Sequence, residues 1–138
     1  MTSMNTPRPQ RIELECGPVS ALDLALYAAA SGDHNPLHLD ADVAKAAGFE
    51  RPVVHGMLTM AFCGRLLTSH FGVAALRSLS VRFLGAATRG DRVVLRGTLT
   101  SVDKEGVAIY ELAGHNDAGQ ELVAGSARVS APAHKTAP

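Results

Sequence analysis

Between Met57 and Phe71 the residues Leu58, Met60, Phe62, Leu66, Leu67 and Phe71 run around most of the circumference of a helix. A helix apolar on nearly every side is stable only when something else encloses it. The stretch VVHGMLTMAFCGRLL that contains it is too short to span a bilayer and is interrupted by His55 and Arg65, so the enclosure has to be protein. The rest of the chain must supply a surface curved enough to wrap a helix.

The flanking sequence offers strands for that purpose. RIELECG, from Arg11, alternates Ile12, Leu14 and Cys16 with Arg11, Glu13 and Glu15, the period of a half-buried strand. Downstream lie four alternating segments, LRSLSVRFLGA, DRVVLRGTLTSVD, GVAIYELAGHND and QELVAGSARVSA. Turn signals separate them at Arg89-Gly90-Asp91, Lys104-Glu105-Gly106 and Asn116 to Gly119, and the four read as an antiparallel meander. In the first of them Leu79, Val81 and Phe83 fall on one face and Ser80 and Arg82 on the other.

Two shorter helices precede the long one. Ser20 caps the first, which runs through Leu22, Leu24, Leu26 and Tyr27 to Ala30, with Asp23 in an acidic first turn and Gly32 as the stop. ADVAKAAGF forms a second that ends at Gly48, and Pro52 holds the chain extended before VVHG. A strand, helices, then four strands around one enclosed helix make an α+β chain. The helix is best buried if a curled antiparallel sheet of about five strands wraps around it, the hot-dog fold. An up-and-down barrel with no helix inside is the nearest rival.

A length of 138 residues suits one core. The domain is expected to span 10–131, with 1–9 and 132–138 as flexible tails. Thirteen basic residues balance thirteen acidic ones, so net charge gives no reason to expect nucleic acid or an anionic membrane as partner. Cys16 and Cys63 sit in apolar contexts without metal or redox spacing and read as reduced core thiols. Together with an N-terminus that lacks the apolar run of a secretory signal, they point to a cytoplasmic protein.

Chemistry concentrates in SGDHNPLHLD, from Ser31 to Asp40, and in FERPVVHGM, from Phe49 to Met57. Taken alone, Asp33, His34, Asn35 and Pro36 are what a polar turn at a helix exit uses, and Asp40 or Asp42 is favoured at the next helix start. Yet Asp33 and His38 flank a proline turn that lets both face one cavity, and a second histidine and a glycine, His55-Gly56, open the most enclosed helix. A carboxylate and an imidazole sharing one water can hold it and shuttle its proton. Free amides at the helix start near Gly56 can bond a carbonyl oxygen as charge builds on it, although a glycine there also serves simply to start a helix.

The run SGDHNPLHLDADVAKAAGFERPVVHGMLTM, with the later VRF, resembles the hydratase motif of the MaoC-like hot-dog family. That family comprises (R)-specific enoyl-thioester hydratases and 3-hydroxyacyl-thioester dehydratases. The resemblance implies Asp33 as the base that takes a proton from water and His38 as the group that holds and polarises it. It also implies Asn35 as a brace of the turn, Gly56 as the amide on the thioester carbonyl and His55 as loop support, with no metal and no cofactor. The reaction implied is reversible syn addition of water to a trans-2-enoyl thioester, giving the (R)-3-hydroxyacyl thioester. Some relatives carry a serine in the central helix where this chain has Gly64.

Coenzyme A or acyl carrier protein would carry the acyl group, with Arg51, Arg82, Arg89 and Arg92 as candidates for its phosphates, although each reads first as a solvated strand residue. A homodimer paired at a sheet edge is expected, a heteromer being the alternative. A hot-dog thioesterase would need a carboxylate on the central helix, and none stands between Met57 and His70. A non-catalytic acyl-binding subunit would need no acid–base pair. A metal held by His34, His38 and His55 finds no support in their spacing.

Overall fold

The computed structural model describes residues 8–130. The expected tails fall outside that range except for Arg8 and Pro9, which are bonded to the sheet. The Arg8 guanidinium donates to the carbonyls of Val129 and Gly106, and the buried Tyr110 hydroxyl donates to Pro9 O at 2.7 Å.

Strand β1 (Arg11–Cys16) is followed by helix α1 (Ala21–Ser31). A capping box starts α1: Ser20 Oγ accepts from the Asp23 amide at 3.0 Å, and the Asp23 carboxylate accepts from the Ser20 amide at 2.9 Å. Gly32, at φ 79°, ends it in the left-handed conformation that glycine tolerates best. A 3-10 turn (Pro36–His38) and α2 (Ala41–Ala46, capped by Asp40) lead to α3 (Gly56–Phe71). Among the described residues no helix is long and apolar enough to cross a membrane.

Strands β2 (Leu76–Phe83), β3 (Val93–Val102), β4 (Ala108–Asn116) and β5 (Glu121–Val129) join β1 in one antiparallel sheet of order β1-β3-β4-β5-β2. This corrects the meander read from the sequence, which holds only for β3, β4 and β5. Strand β2 lies on the far edge against β5, and the Arg89-Gly90-Asp91 segment belongs to a crossover instead of a hairpin. The reason is occupancy. Strand β1 already pairs along β3, with Leu14 opposite Leu95, so the chain leaving α3 finds its free partner on the other side of the sheet.

The sheet curls over α3, which touches β1, β2, β3 and β5. Phe62, Cys63, Leu66 and Leu67 point into a core shared with Ile12, Leu95, Tyr110, Leu112 and Val129. The enclosure is one-sided, however: Met57 is 57% exposed, and Ala61 and Arg65 also face outward. Both cysteines are buried and free, and burial pushes the Cys63 thiol up to about 11, so it stays protonated near neutral pH.

Gly64 sits inside α3 with open space around it, since among the described residues a Cβ built there meets no atom within 4 Å beyond the helix's own backbone and its chain neighbours. Gly64→Ala should therefore stabilise the fold by about 0.5–1 kcal/mol, because alanine loses less backbone entropy in a helix interior. Urea unfolding of the two proteins checks this; an unchanged or lower midpoint would contradict it.

Candidate active site

Local geometry of the Asp33 to Asp40 loop follows from its short polar side chains. One Asp33 carboxylate oxygen accepts from the Asn35 amide at 3.3 Å, and Asn35 Oδ1 accepts from the Leu37 amide at 3.1 Å. Each is a side chain closing a turn on the backbone two residues on. With Pro36 fixing the start of the 3-10 turn, these bonds bring His38 back towards Asp33. His38 Nε2 lies 3.6 Å from Asp33 Oδ2, the imidazole largely buried and the carboxylate half-exposed.

The second ring nitrogen of His38 fixes which of its atoms faces the acid. Nδ1 is 2.7 Å from the Val53 carbonyl. A carbonyl only accepts, so Nδ1 carries a proton, and in the neutral form of the ring Nε2 turns a lone pair towards Asp33. Two acceptors then face each other at a distance too long for a direct bond. A water between them can donate one hydrogen to each. Val53 is held for this role by its own amide, which donates to Leu37 O at 2.9 Å, and by a bridge to Thr88.

His55 lies directly behind. Its ring stacks on His38 with centroids 3.7 Å apart and planes 21° from parallel, and Tyr27 meets it edge-on at 4.8 Å. Nε2 donates to the Asp33 carbonyl at 3.2 Å, while the buried Nδ1 has no hydrogen-bond partner among the described residues. Burial lowers the His55 pKa, and the neighbouring His38 adds to that; the bond to the Asp33 carbonyl and the Asp33 charge act the other way. A pH dependence follows. The unfolded chain binds a proton at His55 more readily than the folded one, so stability is full above about pH 6.5 and falls as pH drops below it. His55→Gln should flatten that part of the curve of melting temperature against pH; an unaltered slope between pH 7 and pH 5 would contradict the assignment.

The first turn of α3 adds donors. Leu58 and Thr59 amides both return to the His55 carbonyl, at 3.0 and 3.2 Å, which leaves the Gly56 and Met57 N–H groups without a backbone acceptor among the described residues. They lie at the positive end of a 16-residue helix. A Cβ on Gly56 would lie 3.5 Å from the Phe83 ring, in ordinary van der Waals contact.

The structure thus gathers Asp33, His38, His55 and Gly56 at one point, with Asn35 in the turn beneath. His34 is exposed and outside the cluster. Donor atoms of Asp33, His38 and His55 lie within 4.8 Å of one another, so the histidine set considered for a metal is replaced by one containing the aspartate. Its geometry fits a shared water better. His38 Nδ1 and His55 Nε2 are taken by carbonyls, and two stacked rings direct their remaining lone pairs along near-parallel planes instead of towards one ion. Of the four arginines considered for phosphate, Arg51 pairs with Asp91 and Arg92 with Glu15, each at 3.2 Å. Arg82 and Arg89 have no acidic partner within 4.0 Å among the described residues. Sequence reasoning missed Tyr27 as a contact of the site; its place on α1, one position before the buried Ala28, was the available signal.

A curled antiparallel sheet over one helix defines a hot-dog protein, here with Asp33 and His38 gathered beside His55, the residue that precedes that helix. The chain belongs to the MaoC-like family: the MaoC like domain matches residues 4–117. Among solved structures it is similar to the (R)-hydratase from A. caviae involved in PHA biosynthesis, with 30% identity, a TM-score of 0.84, and 94% of this chain and 100% of that one covered. It is also similar to the R-hydratase PhaJ1 from Pseudomonas aeruginosa, with 28% identity, a TM-score of 0.77 and 89% and 80% covered. A curated relative is the mitochondrial 3-hydroxyacyl-[acyl-carrier-protein] dehydratase of Arabidopsis thaliana, 40% identical over 75 residues. That match takes in 54% of this chain and 45% of the relative, so the chain spans less than half of the plant protein's length. These names are those of hydro-lyases, and the hot-dog fold expected from the sequence is the fold the neighbours share.

Proposed function

We propose that this chain adds water across a trans-2-enoyl thioester to give the (R)-3-hydroxyacyl thioester, and catalyses the reverse dehydration. The observation that carries the reading is the pair of acceptors, Asp33 Oδ2 and His38 Nε2, facing each other at 3.6 Å beside two free amides of α3. A water held by both loses a proton to Asp33 as its oxygen attacks the β-carbon. Electron density moves to the thioester oxygen, where Gly56 N–H and the helix N-terminus stabilise the enolate. The proton taken by Asp33 then returns to the α-carbon on the same face. Hydroxyl and hydrogen have been added, the base is restored, and no cofactor is consumed.

Asn35 and His55 act through the loop in this scheme, Asn35 by closing the turn and His55 by holding the Asp33 backbone. The substrate carrier is coenzyme A or acyl carrier protein. A second copy of the chain pairs at a sheet edge, β1 or β2 being the strands with one open side among the described residues; a related but different chain on such an edge is the alternative.

The test is consumption of crotonyl-coenzyme A, followed at the enoyl absorbance, with free thiol measured in parallel. Loss of absorbance without thiol supports hydration. Release of thiol would make the chain a thioesterase, and binding with neither change would make it an acyl-binding subunit.

A further inference from the structure

Phe83 is the last residue of the edge strand β2 and is 50% exposed, and Leu84 beside it is 49% exposed. A large apolar ring left half in water is informative, because burial of such a side chain is worth about 1.5–3 kcal/mol. The ring is not adrift. Its Cε1 lies 3.5 Å, and its Cδ1 and Cζ 3.7 Å, from where a Cβ on Gly56 would stand. It therefore faces the side-chain position of Gly56, the residue whose N–H is free to bind a carbonyl, with room for about one methyl group between ring and backbone. Met57, next along, is 57% exposed, so an apolar lip borders the amide donors.

We infer that Phe83 is a substrate-contacting wall that selects against branching at the α-carbon of the acyl group; this rests on the hydratase reading. A thioester oxygen bonded to Gly56 N–H sits about 2.9 Å from that nitrogen, with its carbonyl carbon about 1.2 Å further on. The α-carbon is one bond beyond. With the ring already in van der Waals contact range of the Gly56 position, a flat, unbranched enoyl unit can slide between ring and acid–base pair, whereas a methyl on the α-carbon has to displace the ring or lift the carbonyl off its donor. In a packed pocket a single methyl group is worth roughly 10–200-fold in kcat/KM.

The experiment compares crotonyl-coenzyme A with its 2-methyl analogue for wild type, Phe83→Leu and Phe83→Ala, with melting curves alongside. Wild type should favour the straight chain. Phe83→Ala should raise the KM for crotonyl-coenzyme A and increase the branched-to-straight ratio of kcat/KM by ~10-fold or more, with Phe83→Leu in between. Should Phe83→Ala fail to fold, Phe83→Leu alone carries the comparison. If wild type is active and the ratio in the folded variants stays within about twofold of wild type, Phe83 is not a substrate wall and the inference falls while the hydratase reading stands. An unchanged ratio accompanied by loss of self-association has the same meaning and assigns the ring to a subunit interface. If wild type hydrates neither ester, the hydratase reading falls and takes this inference with it.

Discussion

Asp33→Asn and His38→Ala are each expected to lower kcat for hydration of an enoyl thioester by about 10²–10⁴-fold, the range that general acid–base catalysis supplies. Asn preserves the size of Asp33 and its turn bond to the Asn35 amide, but cannot take the proton from water. Removing the His38 imidazole takes away the Nε2 acceptor and also leaves the Val53 carbonyl without its 2.7 Å donor. His38→Gln is therefore the fairer partner, since its amide can still donate to Val53. Because both groups act on the same water, their losses should not add: the double variant should lie within about tenfold of the worse single one. Steady-state rates with crotonyl-coenzyme A, on proteins whose melting curves match wild type, decide it. Full activity in Asp33→Asn would mean that the base lies elsewhere, and additive losses would mean that the two residues serve separate steps.

Much of this site was legible because its chemistry is written in side chains at fixed spacing. Asp33, Asn35, Pro36 and His38 form a turn whose closure needs only local bonds, and local bonds can be read from types and offsets. What could not be read is the part made by backbone. The lone pair that His38 offers to Asp33 exists because the Val53 carbonyl holds Nδ1–H, and any residue type at that position carries the same carbonyl. The stacking of His55 on His38 likewise depends on how α3 enters the sheet. Strands were legible from their alternation, since Ile12, Leu14 and Cys16 or Leu79 and Val81 mark a face. Their partners were not. A period of two says that one face is buried and is silent about which neighbour covers the edge. The apolar girdle of α3 predicts enclosure on most sides, yet Met57 and Ala61 are uncovered within one chain, which is the kind of surface a second copy would bury.

The pairing that alternation could not reveal depends on a missing side chain. In the β2–β5 register Gly125 stands opposite Val81. A Cβ at Gly125 would strike Ser80 O and lie 2.8 Å from Val81 Cα and 2.9 Å from Ser80 C, all of them backbone atoms of β2. No rotamer change relieves a clash with backbone, so Gly125→Ala must push the two strands apart. We expect a loss of about 3 kcal/mol, at the upper end of what overpacking costs, and hence a fall in melting temperature of roughly 10 °C for a chain of this size. The effect should also reach the site. Strand β2 ends at Phe83, whose ring faces the side-chain position of Gly56, so any Gly125→Ala protein that still folds should bind enoyl-coenzyme A more weakly while keeping Asp33 and His38 in their loop, a change in KM ahead of kcat. Gly64→Ala is the internal control, a glycine with open space around it. Equal melting temperatures for the two variants would show that β2 and β5 do not approach as closely as described, and that the edge carrying Phe83 is set by something other than Gly125.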